Sequence, residues 1–261
     1  MRDYYPGGKD NYAADRMVAR RFTGACPQVR EAAQANRAFH QRAVAWMARS
    51  GIRQFLDAGC GLPANDNTHE IARREHPGAR VLYADRDPMV LTYARGLLAG
   101  PPGVQALQGD VRDPEAILSS REAAEVLRPG EPAGLMLTAV LHFVTNEEDP
   151  AGLARRFMAG LAPGSCVAIS HGTLDKLPRD AGQVSLKIYG MVAEPVVMRT
   201  HAQVGALFAG LELLPPWKGS PPAVVTLDSW LGPGIPLSGG AAAMARKGGE
   251  ALWCGVARKP S

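Results

Sequence analysis

Gln54-Phe55-Leu56-Asp57-Ala58-Gly59-Cys60-Gly61 is a short apolar run that ends in a glycine turn. Gln54–Ala58 reads as a strand, and a helix is expected from about Asn65 to Glu75. In an open parallel sheet, ligands sit outside the carboxyl ends of the strands. Gly59 and Gly61 would let the backbone approach a ligand where a Cβ would collide.

Outward from this turn, short apolar runs alternate with helical stretches. Arg80–Ala84, Val104–Gln108, Gly134–Val140 and Ser165–Ser170 read as strands, with helices over Pro88–Leu98, Pro114–Leu127 and Asp149–Leu161. Strands separated by helices predict βαβ units and a parallel sheet, an α/β fold. The runs FLDAG, VLYAD and LMLTAV are almost continuously apolar, as strands covered on both faces should be. Before the first strand, Asn11–Phe22 and Val29–Ser50 read as helices, with Gly51 as the stop of the second. After the fifth strand, a helix with capping-box spacing is expected over Thr200–Phe208, and a short strand over Leu211–Leu214. Residues 215–250 hold 13 Gly or Pro and read as a long loop, and Ala251–Arg258 reads as a closing strand.

The chain has 261 residues, 46% hydrophobic and 21% charged, which excludes a disordered chain. It carries no apolar run long enough to span a bilayer and no apolar signal core at MRDYYPGGKD. Cysteines 26, 60, 166 and 254 share no CxxC spacing, so they read as reduced thiols in the cytoplasm, with no metal site. His69 and His76 stand seven apart, too far for an HExxH zinc site. The net charge of +4 is uneven: residues 1–53 hold ten Lys/Arg against four acids, and the remainder is slightly acidic. The basic character belongs to the N-terminal fifth.

Two ligands compete for the glycine turn. Gly59-Cys60-Gly61-Leu62-Pro63-Ala64 fits a dinucleotide fingerprint, and Asp85 stands where a ribose-binding acid belongs. Asp57, however, lies two residues before the first glycine, where it would repel a pyrophosphate. S-adenosylmethionine carries a sulfonium and an ammonium and no phosphate, so a carboxylate there is welcome. Gln108-Gly109-Asp110-Val111 adds a third acid, able to accept from the adenine amino group while the Val111 N–H reaches a ring nitrogen. Singly, Asp57 also reads as a helix cap, Asp85 as a turn acid and Asp110 as a loop acid. Three acids ending three successive strands are harder to explain by packing, because buried unpaired carboxylates are costly.

On these residues the sequence resembles the class I, Rossmann-like S-adenosylmethionine-dependent methyltransferases. Asp57, Gly59 and Gly61 match their first motif, Asp85 their second, and Gly109-Asp110-Val111 their third. More narrowly, it is similar to a mostly actinobacterial S-adenosyl methyltransferase family once catalogued as a domain of unknown function. The marks are Gly7-Gly8-Lys9-Asp10-Asn11-Tyr12, Ala35-Asn36-Arg37-Ala38-Phe39, Gly61-Leu62-Pro63, Asp85-Arg86-Asp87-Pro88, Ala139-Val140-Leu141-His142-Phe143-Val144 and Leu161-Ala162-Pro163-Gly164-Ser165. The family pattern more often has Gly-Thr-Gly where this chain has Gly59-Cys60-Gly61. The resemblance implies a seven-stranded, mostly parallel sheet of order 3-2-1-4-5-7-6, helices on both faces, and S-adenosyl-L-methionine as cofactor. It implies cofactor contacts at Asp57, Gly59, Gly61, Asp85, Arg86, Asp110, Val111 and Ala139.

Residues 1–52 are expected to form a helical cap or lid, and 53–261 the cofactor-binding domain, with 215–250 as a Pro/Gly-rich insertion. Within the cap, Lys9, Asn11 and Arg37 could hold the methionine carboxylate, and Tyr4, Tyr5 and Tyr12 could line an acceptor pocket. His142, at the end of the fourth strand, is the candidate general base, and packing against adenosine is its plain alternative. His171 is a second candidate beside the substrate, and His69 is expected to brace the glycine loop. The expected reaction is methyl transfer to nitrogen or oxygen of a small-molecule acceptor. Alternatives are binding of the cofactor without methyl transfer, as a sensor or in other chemistry, and a nicotinamide-dependent oxidoreductase. Expected partners are the acceptor and, as one option, a second copy in a homodimer, with no nucleic acid and no membrane.

Overall fold

The computed structural model describes residues 28–63, 66–97, 102–176, 195–234 and 248–260. Helix α1 (Gln28–Arg49) leads into β1 (Gln54–Ala58), α2 (Thr68–Glu75), β2 (Arg80–Asp85), α3 (Pro88–Leu97) and β3 (Val104–Gln108). Next come α4 (Pro114–Leu118), α5 (Arg121–Val126), β4 (Gly134–Thr138), a 3₁₀ turn (Leu141–Phe143), α6 (Pro150–Ala159) and β5 (Cys166–Gly172). The last part holds α7 (His201–Ala206), β6 (Glu212–Leu213), β7 (Val225–Thr226), 3₁₀ turns at Leu227–Ser229 and Gly249–Ala251, and β8 (Leu252–Arg258).

The sheet runs β3-β2-β1-β4-β5-β8-β6, with β3 through β5 in that path mutually parallel. The closing strand inserts between β5 and β6 and is antiparallel to both. This is the expected order, with one addition. Val225–Thr226 adds a two-residue strand on β8, so the sheet has eight strands and not seven. It falls inside the stretch read as a loop. Leu227 and Trp230, both fully buried, anchor that stretch against the core.

Alternate residues of each strand feed two cores, as the twofold period of a strand requires. Phe55, Val81, Tyr83, Met136 and Ala168 meet α1, α2 and α3 on one face. Leu56, Leu82, Leu135, Val167 and Ile169 meet α4, α5, α6 and α7 on the other. Of the expected N-terminal cap, the described part is α1, and it forms a wall of the first core. Its Ala35, Phe39, Ala43, Val44 and Met47 are fully buried. Burial of a side chain such as Phe39 or Met47 contributes about 1.5–3 kcal/mol, so α1 is held as part of the domain. Trp230 packs edge-on against Phe39 and Trp46 of α1, with centroids 5.5 and 6.3 Å apart. Arg42 donates from Nε to the Trp230 carbonyl at 2.8 Å and from Nη2 to that of Leu227. The rest of the cap, 1–27, lies outside the described residues.

Most helix boundaries fall within two residues of expectation, and two helices depart further. Pro114–Leu127 is not one helix. Ser120 is extended, and its Oγ accepts from the Ala123 N–H at 3.0 Å, starting α5 afresh. A serine that caps competes with one that continues a helix. Helix α2 begins at Thr68 and not Asn65, because Glu70 reaches back to the Asn67 N–H at 2.6 Å and defines the start there.

Candidate functional site

The carboxyl ends of β2 and β3 bring Asp85 and Asp110 to one cleft. An open cleft of about 190 Å³ is lined by Gly59, Asp85, Arg86, Asp110, Val111, Val140 and Phe143 among others. Asp57 sits at the end of β1 and is almost wholly buried.

The glycine turn is held by its neighbours. Gly59 and Cys60 both donate to the Ala84 carbonyl of β2, at 2.8 and 3.2 Å. Gly59 has φ +76°, and a Cβ there would stand 2.4 Å from Val140 Cγ2. The close approach that demands glycine at 59 is therefore made by the turn after β4, and Gly59 also lines the cleft where a ligand contact was expected. Gly61 has φ +66° and open space where its Cβ would lie. Its N–H donates to Asp85 Oδ2 at 2.9 Å. Asp85 Oδ1 accepts from the Asp87 N–H at 3.0 Å, so one carboxylate ties the first loop to the second.

Asp110 is gripped by a residue that sequence reasoning missed. Arg112 reaches both its oxygens from Nη1, at 3.1 and 3.2 Å, and its N–H meets Oδ1 at 2.9 Å. Arg112 also donates to Glu148 Oε1 and to the Phe143 carbonyl, both at 2.6 Å. It thereby fixes the β3 loop to the connection after β4. Arg86 Nη1 stands 3.6 Å from Asp110 Oδ2. A charge-assisted pair of this kind orients the acid beside the cleft.

Beneath the glycine turn lies a second group that sequence reasoning missed apart from Asp57. Thr68 donates to Asp57 Oδ2 at 2.6 Å. His40, on α1, lies 2.8 Å from Thr68 Oγ1 through Nε2 and 3.0 Å from Thr138 Oγ1 through Nδ1. Burial pushes the His40 pKa down to about 4, against the opposing pull of Asp57. One helical turn earlier, Asn36 accepts from Ser170 Oγ at 2.5 Å, and Ser170 Oγ accepts from the Ala139 N–H at 2.9 Å. Ala139 itself has φ +53°, a strained value for a residue with a Cβ. Two polar residues four apart on the buried face of α1 were the available sequence signal.

Arg37 lies on the same helix and donates from Nη2 to the Asp66 carbonyl at 2.8 Å. It supports the loop entering α2. His69 binds the Tyr83 hydroxyl through its N–H and Nδ1, both at 2.9 Å, and so braces β2 where the glycine loop was expected. Burial raises the Tyr83 pKa.

His142 sits in the 3₁₀ turn, half-buried. Its ring meets His171 edge-on at 5.8 Å and Phe143 at 4.3 Å. Phe143 of this turn walls the cleft. His171 is fully buried. Its Nε2 lies 2.7 Å from Arg199 Nη1, and its Nδ1 donates to the Gly172 carbonyl at 2.9 Å. Burial lowers its pKa to about 4, so the ring is neutral and accepts from the arginine. Arg199 also donates to the carbonyls of Leu141 and Val144, at 3.0 and 2.9 Å, and to Asn146. The pair holds the turn that carries His142. Lys9, Asn11, Tyr4, Tyr5 and Tyr12 lie outside the described residues. Among the described residues, no group of three His, Cys, Asp or Glu is placed to hold a metal. No helix among them is long and apolar enough to cross a membrane.

A parallel sheet with an antiparallel closing strand, a glycine turn and acids ending three strands define a Rossmann-like, S-adenosylmethionine-dependent methyltransferase. The chain belongs to the S-adenosyl methyltransferase family, whose profile matches residues 1–260. It is similar to the solved structure of a DUF574 family protein from Streptomyces avermitilis, at 37% identity and TM-score 0.88, over 99% of this chain and 95% of that one. A putative methyltransferase from Thermobifida fusca is 32% identical with TM-score 0.86, over 100% of this chain and 95% of that one. The N-methyltransferase NodS from Bradyrhizobium japonicum shares the fold at 12% identity and TM-score 0.53, over 87% of this chain and 97% of that one. No curated protein matches the chain. S-adenosylmethionine is the cofactor, and the nicotinamide reading is set aside.

Proposed function

We propose that the enzyme moves the methyl group of S-adenosylmethionine to a nitrogen or oxygen of a small-molecule acceptor. The supporting observation is a cleft lined by Asp85 and Asp110, after the carboxyl ends of β2 and β3, with Asp57 buried at the end of the neighbouring β1. The residues present fit the cofactor. Asp57 Oδ2 is taken by Thr68, while no donor among the described residues reaches Oδ1. That oxygen is suited to the methionine ammonium. Asp85 keeps lone pairs for ribose hydroxyls beside its two backbone donors. Asp110 and the Val111 N–H suit the adenine edge, and Arg37 suits the methionine carboxylate.

The sulfonium supplies an already activated methyl group. The protein's own task is then to orient the acceptor in line and keep water out. Where the acceptor carries a proton, His142 is the residue to take it. Its turn is held rigidly by Arg199, which suits a group that must meet an acceptor at a set distance.

The test is calorimetry with S-adenosylhomocysteine for the wild type and for Asp110→Ala, followed by transfer of labelled methyl to panels of small amines and phenols. Binding weakened in the variant, with label appearing in a small molecule, is expected. Label found only in protein or nucleic acid would overturn the small-molecule assignment.

A further inference from the structure

We propose that His40 is a positioning residue for the cofactor, setting through Thr68 the Asp57 carboxylate that receives the methionine ammonium. The inference rests on the reading of Asp57 given above. The geometry gives the chain a direction. As a carboxylate, Asp57 only accepts, so the Thr68 hydroxyl hydrogen points to Oδ2 at 2.6 Å. The Thr68 oxygen then receives the His40 Nε2–H at 2.8 Å. That leaves Nδ1 of a neutral ring as the acceptor for the Thr138 hydroxyl at 3.0 Å. This tautomer is assigned from the network. Every donor in the chain Thr138, His40, Thr68, Asp57 is used once, and every step points toward the acid.

The chain links four elements: β4, α1, α2 and β1. It leaves Asp57 one oxygen with no donor among the described residues. An apolar side chain would fill the place of His40, 4% exposed on the core face of α1, without needing two hydroxyl partners. A histidine there costs desolvation that only its hydrogen bonds offset. Its orienting effect falls on Asp57 and on none of the residues that line the cleft, so its loss should be felt at the amino-acid end of the cofactor.

The experiment compares two ligands by calorimetry: S-adenosylhomocysteine, and 5′-methylthioadenosine, which lacks the ammonium and carboxylate. His40→Ala should weaken S-adenosylhomocysteine roughly tenfold, the value of a lost charge-linked hydrogen bond, and leave methylthioadenosine almost unchanged. Thr68→Val should give the same split, and it carries the test if His40→Ala does not fold. Asp57→Asn should also show it, and adding His40→Ala to Asp57→Asn should weaken binding little further. An equal loss for both ligands, no loss, or a split that Thr68→Val does not share overturns the role of His40 while leaving that of Asp57. Full S-adenosylhomocysteine affinity in Asp57→Asn overturns the reading of Asp57 itself and the inference with it.

Discussion

Gly59 lies against Val140, so closely that a Cβ on the glycine would stand 2.4 Å from Val140 Cγ2. The turn after β1 and the turn after β4 are thus packed against each other where both line the cleft. Gly59→Ala adds a clash and a left-handed backbone that alanine resists. Together these should destabilise the fold by about 2–4 kcal/mol, read by chemical denaturation. Adding Val140→Ala should recover part of the loss and leave the backbone cost of about 1 kcal/mol. No recovery in the double variant would mean that the contact is not what requires glycine.

Asp85 accepts from the Gly61 N–H and the Asp87 N–H, one on each oxygen. Asparagine retains one acceptor and turns an amide N–H₂ toward the other donor. Asp85→Asn should cost about 1–3 kcal/mol of stability and weaken S-adenosylhomocysteine at least tenfold. Denaturation and calorimetry on the same preparation check both.

Arg199 is buried and serves two backbone carbonyls of the turn bearing His142. Arg199→Met keeps the stem and leaves those carbonyls without their donor. A loss of about 2–4 kcal/mol is expected, with faster amide hydrogen exchange over residues 141–146 than elsewhere. Uniform exchange across the sheet would argue against a local clamp.

Acidification should unfold the protein through His40 and His171. Burial holds both near a pKa of about 4, below the unfolded value. The unfolded state therefore binds more protons in the window between about 4 and 6.5, and stability rises with pH there. It is lost as pH falls, by at most roughly 3 kcal/mol per histidine at the lower end. Arg37 and Arg199, the nearby cations, act in the same direction, while Asp57 opposes it at His40. Urea titrations at pH 7 and 5 should give a smaller difference for His171→Gln than for the wild type.

The strands of this protein are legible because doubly covered parallel strands need unbroken apolar runs, as in Phe55-Leu56 and Leu135-Met136-Leu137. The three acids are legible because each stands within two residues of the carboxyl end of a strand. The break at Ser119-Ser120 was not, since a serine's choice between capping and continuing is made by the neighbours it packs with. The basic N-terminal charge also reads differently in place. Arg37 and Arg42 on α1 hold backbone carbonyls of loops, Asp66 for the first and Leu227 and Trp230 for the second.

By itself, the sequence determined the α/β alternation, the glycine turn and the acids around it. These depend on residues close along the chain, where periodicity and adjacency carry the signal. Only the tertiary structure decided the partners: His40 with Thr138, 98 residues apart, Arg112 with the Phe143 carbonyl, and His171 with Arg199. A buried polar group must find its hydrogen bonds wherever folding puts them, and no local pattern records that address.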